Sequence, residues 1–192
     1  MSHLFAYFSR MKLIRRWGLM RNTYPENVQE HSLQVALAAH MLAVIRNRLF
    51  GGGVDPARVA VLALYHDIGE VLTGDLPSPI KYFNPGIREA YSEIEDSAAL
   101  TLFEMVPEAL RDDYRSVLEP AAANPDERAI VKAADKLCAY MKCLEETAAG
   151  NREFAKAEEA LRETVEAIDR PEVRYFLDTF VPSFRLTLDE LG

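Results

Sequence analysis

Apolar residues recur along this chain at intervals of three and four between Gly and Pro breaks, and no stretch sustains the period-two alternation of a half-buried strand. The pattern predicts an all-α protein. A first helix is expected over about residues 3–15. Asn27 opens the next, its side chain placed to cap and Glu30 three residues on in an approximate capping box. Leu33, Ala36, Leu37, Met41, Val44 and Ile45 then follow helical spacing up to the Gly51-Gly52-Gly53 break. Asp55-Pro56 is another start signal, and the mostly apolar run Val59 to Leu72 predicts a buried helix ended by Gly74. Asn84-Pro85 opens a helix to about Val106, Pro107 a shorter one, and Pro125-Asp126 a long one ending near Gly150. Charged helices are expected at about 151–168 and 171–181, before Pro182. Their apolar stripes suit a surface between copies of the chain, or more simply their own core. The loop from Thr73 to Tyr82 is the most irregular stretch, a place where rigid helices hold substrate contacts.

With 192 residues and 49% hydrophobic content, the chain has enough apolar surface for one core, and no linker or repeat divides it. A single domain over 1–192 is expected, with the helices of about 151–192 packed on it. No run approaches the roughly 18–20 apolar residues of a membrane span. The opening segment mixes apolar residues with Arg10, Lys12, Arg15 and Arg16 rather than resembling a signal peptide. A soluble, cytoplasmic protein without membrane partners is expected, the basic first helix packing on its own domain. The 22 basic and 30 acidic residues give a net charge of −8, which opposes a polynucleotide gripped along an extended surface. A small phosphorylated molecule held by one or two cations remains compatible. Cys138 and Cys143 lie five apart on one predicted helix and cannot pair, so buried structural thiols are expected.

Chemistry concentrates at the adjacent pair His66-Asp67. With His31 before it and Asp135 after it, two imidazoles and two carboxylates from three segments make a plausible divalent-metal site. Asp135 sits on an apolar helix, where a carboxylate is costly unless paired or metal-bound; Lys132 and Lys136 are the alternative partners. Glu70, four residues after His66, returns to roughly the same helical face, the position for a base, unless it is an ordinary solvated glutamate. His3 and His40 have no acidic neighbour in sequence and read as structural.

In order and spacing, His31, His66-Asp67 and Asp135 resemble the metal ligands of HD-domain phosphohydrolases. The likeness tightens over Arg16-Trp17, over Glu26 to Ser32, over Thr73 to Phe83 and over Lys142 to Glu146. Together these resemble the bacterial YfbR-type 5'-deoxynucleotidases across essentially the whole chain. That resemblance implies a helical HD domain, a homodimer, and hydrolysis of deoxyribonucleoside 5'-monophosphates to deoxyribonucleosides and phosphate. It implies that His31, His66, Asp67 and Asp135 hold one divalent metal ion, cobalt or manganese being favoured. It further implies that Arg16 orients the phosphate, that Trp17 presses on the sugar, and that Asp75, Leu76, Pro77 and Ser78 contact the nucleotide, with His31, Asp67 and Asp135 bordering it. The chain departs from the family pattern at two places: Ile68-Gly69 replaces a small-polar pair, and Ser78 replaces threonine while keeping a hydroxyl.

Phosphate-monoester hydrolysis demands something like 20 kcal/mol of transition-state stabilisation, more than one residue supplies. A divalent ion neutralises phosphoryl charge and acidifies water. Glu70 is then expected to accept or align the proton of that water, and Arg16 to hold the remaining oxygens with forked donors. Asp75 is suited either to protonate the departing 5'-oxygen or to hold the sugar 3'-hydroxyl. Two nitrogen and two oxygen ligands suit Co, Mn, Fe, Zn or Mg without selecting one. Competing readings are an HD phosphohydrolase for a more highly charged nucleotide and a non-catalytic nucleotide-binding module. The first is disfavoured by few nearby cations (Arg15, Arg16, Arg21 and Lys81), the second by the full set of ligands and Glu70.

Overall fold

A computed structural model describes residues 1–81, 83–119 and 122–192, apart from the Ser78 side chain. Ten α-helices follow one another among the described residues: α1 Leu4–Phe8, α2 Val28–Leu49, α3 Pro56–Leu64, α4 Glu70–Thr73, α5 Ser78–Lys81, α6 Pro85–Glu104, α7 Arg111–Leu118, α8 Pro125–Ala148, α9 Ala155–Glu166 and α10 Pro171–Thr179. The all-α expectation is met. Among these residues no helix is long and apolar enough to cross a membrane.

Side-chain caps set the starts of four helices. Asn27 Oδ1 accepts from the Glu30 N–H at 3.0 Å while Glu30 returns a bond to the Asn27 N–H at 3.2 Å, a complete capping box for α2. Asp55 caps α3 and Asn84 caps α6, each followed by proline at the first helical position. At α8 the cap is Asn124, whose side chain accepts from the Asp126 N–H at 2.8 Å.

α2 packs against both α3 and α8, and α9 and α10 close the far side of α8 and α2. Val35, Ala39 and Leu42 of α2, Val59 and Ala63 of α3, and Ile130, Ala134 and Leu137 of α8 fill the main core. Val165, Val173 and Phe176 join it, so buried apolar residues of the last two helices face their own core. A second cluster holds Leu4, Met11, Val28, Ile68, Leu102, Phe103, Val106 and Leu118. Ile68 is thus buried there at 4% exposure.

Four expectations change. The helix expected over 3–15 stops at Phe8, and after a 3-10 turn at Met11–Leu13 the chain becomes extended. It does so because residues 14–16 pair with 26–28: Val28 donates to the Ile14 carbonyl at 3.0 Å and Arg16 to that of Glu26 at 3.1 Å. The run Val59 to Leu72 is not one helix but breaks after Leu64, with Tyr65 to Gly69 in tight turns. Leu33, Leu37 and Met41 point outward, at 55%, 66% and 38% exposure, and Val61 and Leu64 of α3 are also exposed. α2 carries two apolar stripes, and Val35, Ala39 and Leu42 are the inner one. Finally, the expected loop of Thr73 to Tyr82 includes the short helix α5, while Tyr82 lies outside the described residues.

Candidate active site

The break after α3 builds the centre of the site. Between residues 65 and 71 the backbone bonds run from i to i−3, including Ile68 to Tyr65 at 3.1 Å and Glu70 to Asp67 at 3.0 Å. Residues three apart eclipse in such a turn. Glu70 therefore stands over Asp67 rather than on the face of His66, which corrects the expectation of a single helical face. His66 turns its Nδ1 to the Ala63 carbonyl at 2.7 Å, leaving Nε2 buried with no hydrogen-bond partner. That backbone bond holds Nδ1 away from the cluster and directs Nε2, the nitrogen a deprotonated ring would offer a metal, toward Asp67.

Nε2 of His66 lies 3.1 Å from Asp67 Oδ2, and Nε2 of His31 lies 3.7 Å from the same oxygen. His31, fully buried at the start of α2, also reaches Asp135 Oδ1 at 3.2 Å. Ligand atoms of His31, His66 and Asp67 all fall within 4.8 Å of one another. Asp135 divides its oxygens between His31 and Lys136 Nζ, the latter at 3.1 Å. Three of the four sequence-selected ligands thus form one cluster that Asp135 borders through His31, and the nitrogen–oxygen donor set fits a divalent ion.

The groups titrate as a crowded cluster. Burial disfavours the charged His66 ring, but Asp67 and Asp135 outweigh it and raise its pKa to about 9. Burial works against charge on Asp67 and Asp135 as well, yet both are held below the usual range, Asp67 by His66 and Asp135 by His31 and Lys136. Burial, then the charges of Asp67 and Asp75, push Glu70 up to about 10, and its Oε2 has no hydrogen-bond partner. Asp75 is raised by burial, partly offset by Arg16 and by the Trp17 backbone N–H.

Arg16 enters from the extended strap. Its Nη1 lies 3.4 Å from Asp67 Oδ2, and its side chain is 12% exposed, whereas Arg15 beside it is exposed. Arg21 is tied to Glu153 and Lys81 to Glu95. Trp17 packs on Phe154 with ring centroids 5.3 Å apart. Gly74, at φ 76°, ends α4 in a backbone conformation suited to glycine and so turns the chain to Asp75. Leu76 and Pro77 follow, half-buried, with no hydrogen bond or ion pair to the ligand cluster among the described residues. The Ser78 side chain lies outside what the structure describes.

Sequence reasoning gave no role to Glu26. It is 8% exposed and accepts from both Arg16 and Trp17. Nor did it assign one to Glu146, a fully buried carboxylate that pairs with Lys142 at 2.5 Å and accepts from the Thr23 and Tyr24 N–H groups. Those bonds hold the Glu146 pKa at about 2, against burial, and moor the segment between Trp17 and Glu26 to α8. The visible signal was an acidic residue close to an Arg-Trp pair and a Lys-Glu pair at i, i+4. His3 and His40 are exposed, and Cys138 and Cys143 are buried free thiols.

A family model described as 5'-deoxynucleotidase YfbR-like matches residues 3–184. A 5'-deoxynucleotidase of Vibrio cholerae is 58% identical over 191 residues, covering 100% of this chain and 98% of that protein. The 5'-deoxynucleotidase YfbR of Shigella boydii is 56% identical, covering 100% and 96%. Among solved structures, an HD-domain phosphohydrolase of Listeria innocua superimposes with a TM-score of 0.81 at 26% identity, over 94% of this chain and 87% of that one. The cyanophage S-2L HD phosphohydrolase DatZ, bound to dA and one catalytic Zn2+ ion, shares the fold at TM-score 0.67 and 21% identity, over 95% and 96%. Sequence likeness at this level and over this length places the chain in the YfbR-like 5'-deoxynucleotidase family.

Proposed function

We propose that this chain is a metal-dependent 5'-deoxynucleotidase, hydrolysing deoxyribonucleoside 5'-monophosphates to deoxyribonucleosides and phosphate in the cytoplasm. The observation that carries it is the convergence of His31, His66 and Asp67 with Arg16 against the same Asp67 oxygen. A site that joins a cation-binding cluster to one forked phosphate donor suits a single phosphoryl group.

His31, His66, Asp67 and Asp135 hold the divalent ion, cobalt or manganese in this reading; when bound it neutralises phosphoryl charge and makes water more acidic. Arg16 fixes the phosphate through the guanidinium nitrogens that Glu26 leaves free. Glu70 takes a proton from the attacking water as its oxygen bonds to phosphorus and the bond to the 5'-oxygen breaks. Asp75 either protonates that departing oxygen or holds the sugar 3'-hydroxyl. Leu76, Pro77 and Ser78 contact the nucleotide in this reading.

Trp17 fills the space a ribose 2'-hydroxyl would need. Phosphate release from dAMP and AMP, by metal-stripped protein with cobalt or manganese restored, tests the reading. The deoxynucleotide should be turned over and the ribonucleotide spared, and in Trp17→Ala the ratio should fall about tenfold or more. Equal release from both sugars by the wild-type protein rejects the specificity, and none with any metal rejects the activity.

Two copies associate in this reading through the outer stripe of α2. Leu33, Leu37 and Met41 form a ridge of i, i+4, i+8 residues, and a groove of about 500 Å³ continues it past Leu33 to Leu64 and Phe8. Leu37→Glu should convert a particle of twice the chain mass to one chain in light scattering. A mass that does not change rejects this face.

A further inference from the structure

The chain has one tryptophan, and its indole shares an acceptor atom with the phosphate-facing arginine. Glu26 Oε2 accepts from Arg16 Nε at 3.0 Å and from Trp17 Nε1 at 3.3 Å. The backbones match: Arg16 donates to the Glu26 carbonyl at 3.1 Å, and Arg15 and Asn27 form an isolated antiparallel bridge. Trp17 sits at φ 57°, the left-handed region that side chains with a Cβ rarely occupy. Such a conformation persists only where surrounding contacts over-determine it. Glu26 on one edge of the indole and Phe154 beside it supply those contacts. The same carboxylate occupies one edge of the guanidinium, so the terminal nitrogens face Asp67, 3.4 Å from Nη1.

We propose that Glu26 is a positioning residue that couples Arg16 to Trp17, so that grip on the phosphate and discrimination at the sugar are set together by one buried carboxylate. This rests on the reading above, in which Arg16 meets phosphate and Trp17 meets sugar. Glu26 touches no ligand of the metal cluster among the described contacts; it acts through the two residues it holds. Both donors meet the one oxygen Oε2, so an amide oxygen in its place could still accept from both, but without the negative charge that strengthens each bond and pairs the guanidinium.

The test is E26Q, assayed for dAMP and AMP turnover, with the emission of the sole tryptophan read in the metal-free protein. Losing a charge-assisted bond should raise KM for dAMP about tenfold with a smaller change in kcat, and lower the dAMP-to-AMP ratio by about tenfold. Trp17 emission should shift to the red and become easier to quench with acrylamide. E26D keeps the charge on a shorter arm and should recover part of the KM loss; it also provides the measurement where E26Q folds poorly. A purely structural Glu26 would lower the yield of folded protein while leaving KM, the sugar ratio and emission of the folded fraction at wild-type values, and that result overturns the proposal. Wild-type protein with no preference for dAMP overturns the underlying specificity instead, and the joint movement of KM and emission in E26Q then decides the role of Glu26.

Discussion

Asp67→Asn should leave a folded protein that no longer retains a divalent ion and turns over substrate roughly a thousandfold more slowly, or worse, because the ion supplies several kcal/mol of transition-state stabilisation. The expectation follows from one atom. Asp67 Oδ2 is 3.1 Å from His66 Nε2, 3.7 Å from His31 Nε2 and 3.4 Å from Arg16 Nη1, so both imidazoles and the guanidinium address it. Asparagine keeps the shape and removes the charge. Metal content by elemental analysis should fall to background while the helical circular-dichroism signal persists. The thermal midpoint gives a second reading, since a ligand at a hundred times its Kd adds about 2.7 kcal/mol to the stability of a protein that binds it. Wild-type protein should therefore melt higher when cobalt or manganese is added, and D67N should not respond. Full metal stoichiometry in D67N together with wild-type turnover would remove Asp67 from the ligand set.

Why the candidate ligands were readable and their geometry was not comes down to the run from Val59 to Leu72. The adjacent His-Asp pair is conspicuous in any sequence, and the caps at Asn27, Asp55 and Asn84 announce helices because each states which N–H it will satisfy. Within the run, however, no proline and no glycine before Gly69 marks a break. The break is tertiary in origin: Val59, Leu62 and Ala63 belong to the main core and Ile68 to the second, and the chain tightens between them to serve both. That tightening moves Glu70 from the His66 face to the Asp67 face, a shift that periodicity does not encode.

The same limit explains α2. Leu33, Leu37 and Met41 have the residue types of a core, and so do Val35, Ala39 and Leu42; only the packing of α3 and α8 decides which stripe goes inside. Glu26 and Glu146 were hidden for a different reason. A carboxylate in a polar sequence context looks solvated until the strap over residues 14–28 and the buried Lys142 close around it. Arg16 and Arg15 were interchangeable as letters, and the pairing of residue 16 with residue 26 separates them.

Glu70→Gln should lower kcat by about a hundredfold to ten-thousandfold while leaving metal content and KM near wild type. Glu70 stands over Asp67 with an oxygen that is buried and unpartnered, and burial, Asp67 and Asp75 raise its pKa from the ordinary 4.5 to about 10. Without metal it therefore carries a proton at neutral pH. A carboxyl raised on folding lends stability that is fully present below pH 4.5 and is lost as pH rises toward 10, because above 4.5 the unfolded chain gives up the proton first. His66, raised from 6.5 to about 9, adds a loss of the same sign, but only above about pH 6.5. Urea midpoints of metal-free protein should accordingly fall from pH 5 upward in the wild type, with the part below 6.5 reduced in E70Q. A bound cation compensates the charges that oppose ionisation, so the residue that is protonated in the empty cluster becomes the one able to accept a proton in the filled one. Metal binding at pH 8 should then release protons, and E70Q should release fewer than wild type. Near-normal turnover in metal-loaded E70Q would remove the base, whereas equal proton release from both proteins would remove the electrostatic account of how that base is switched on.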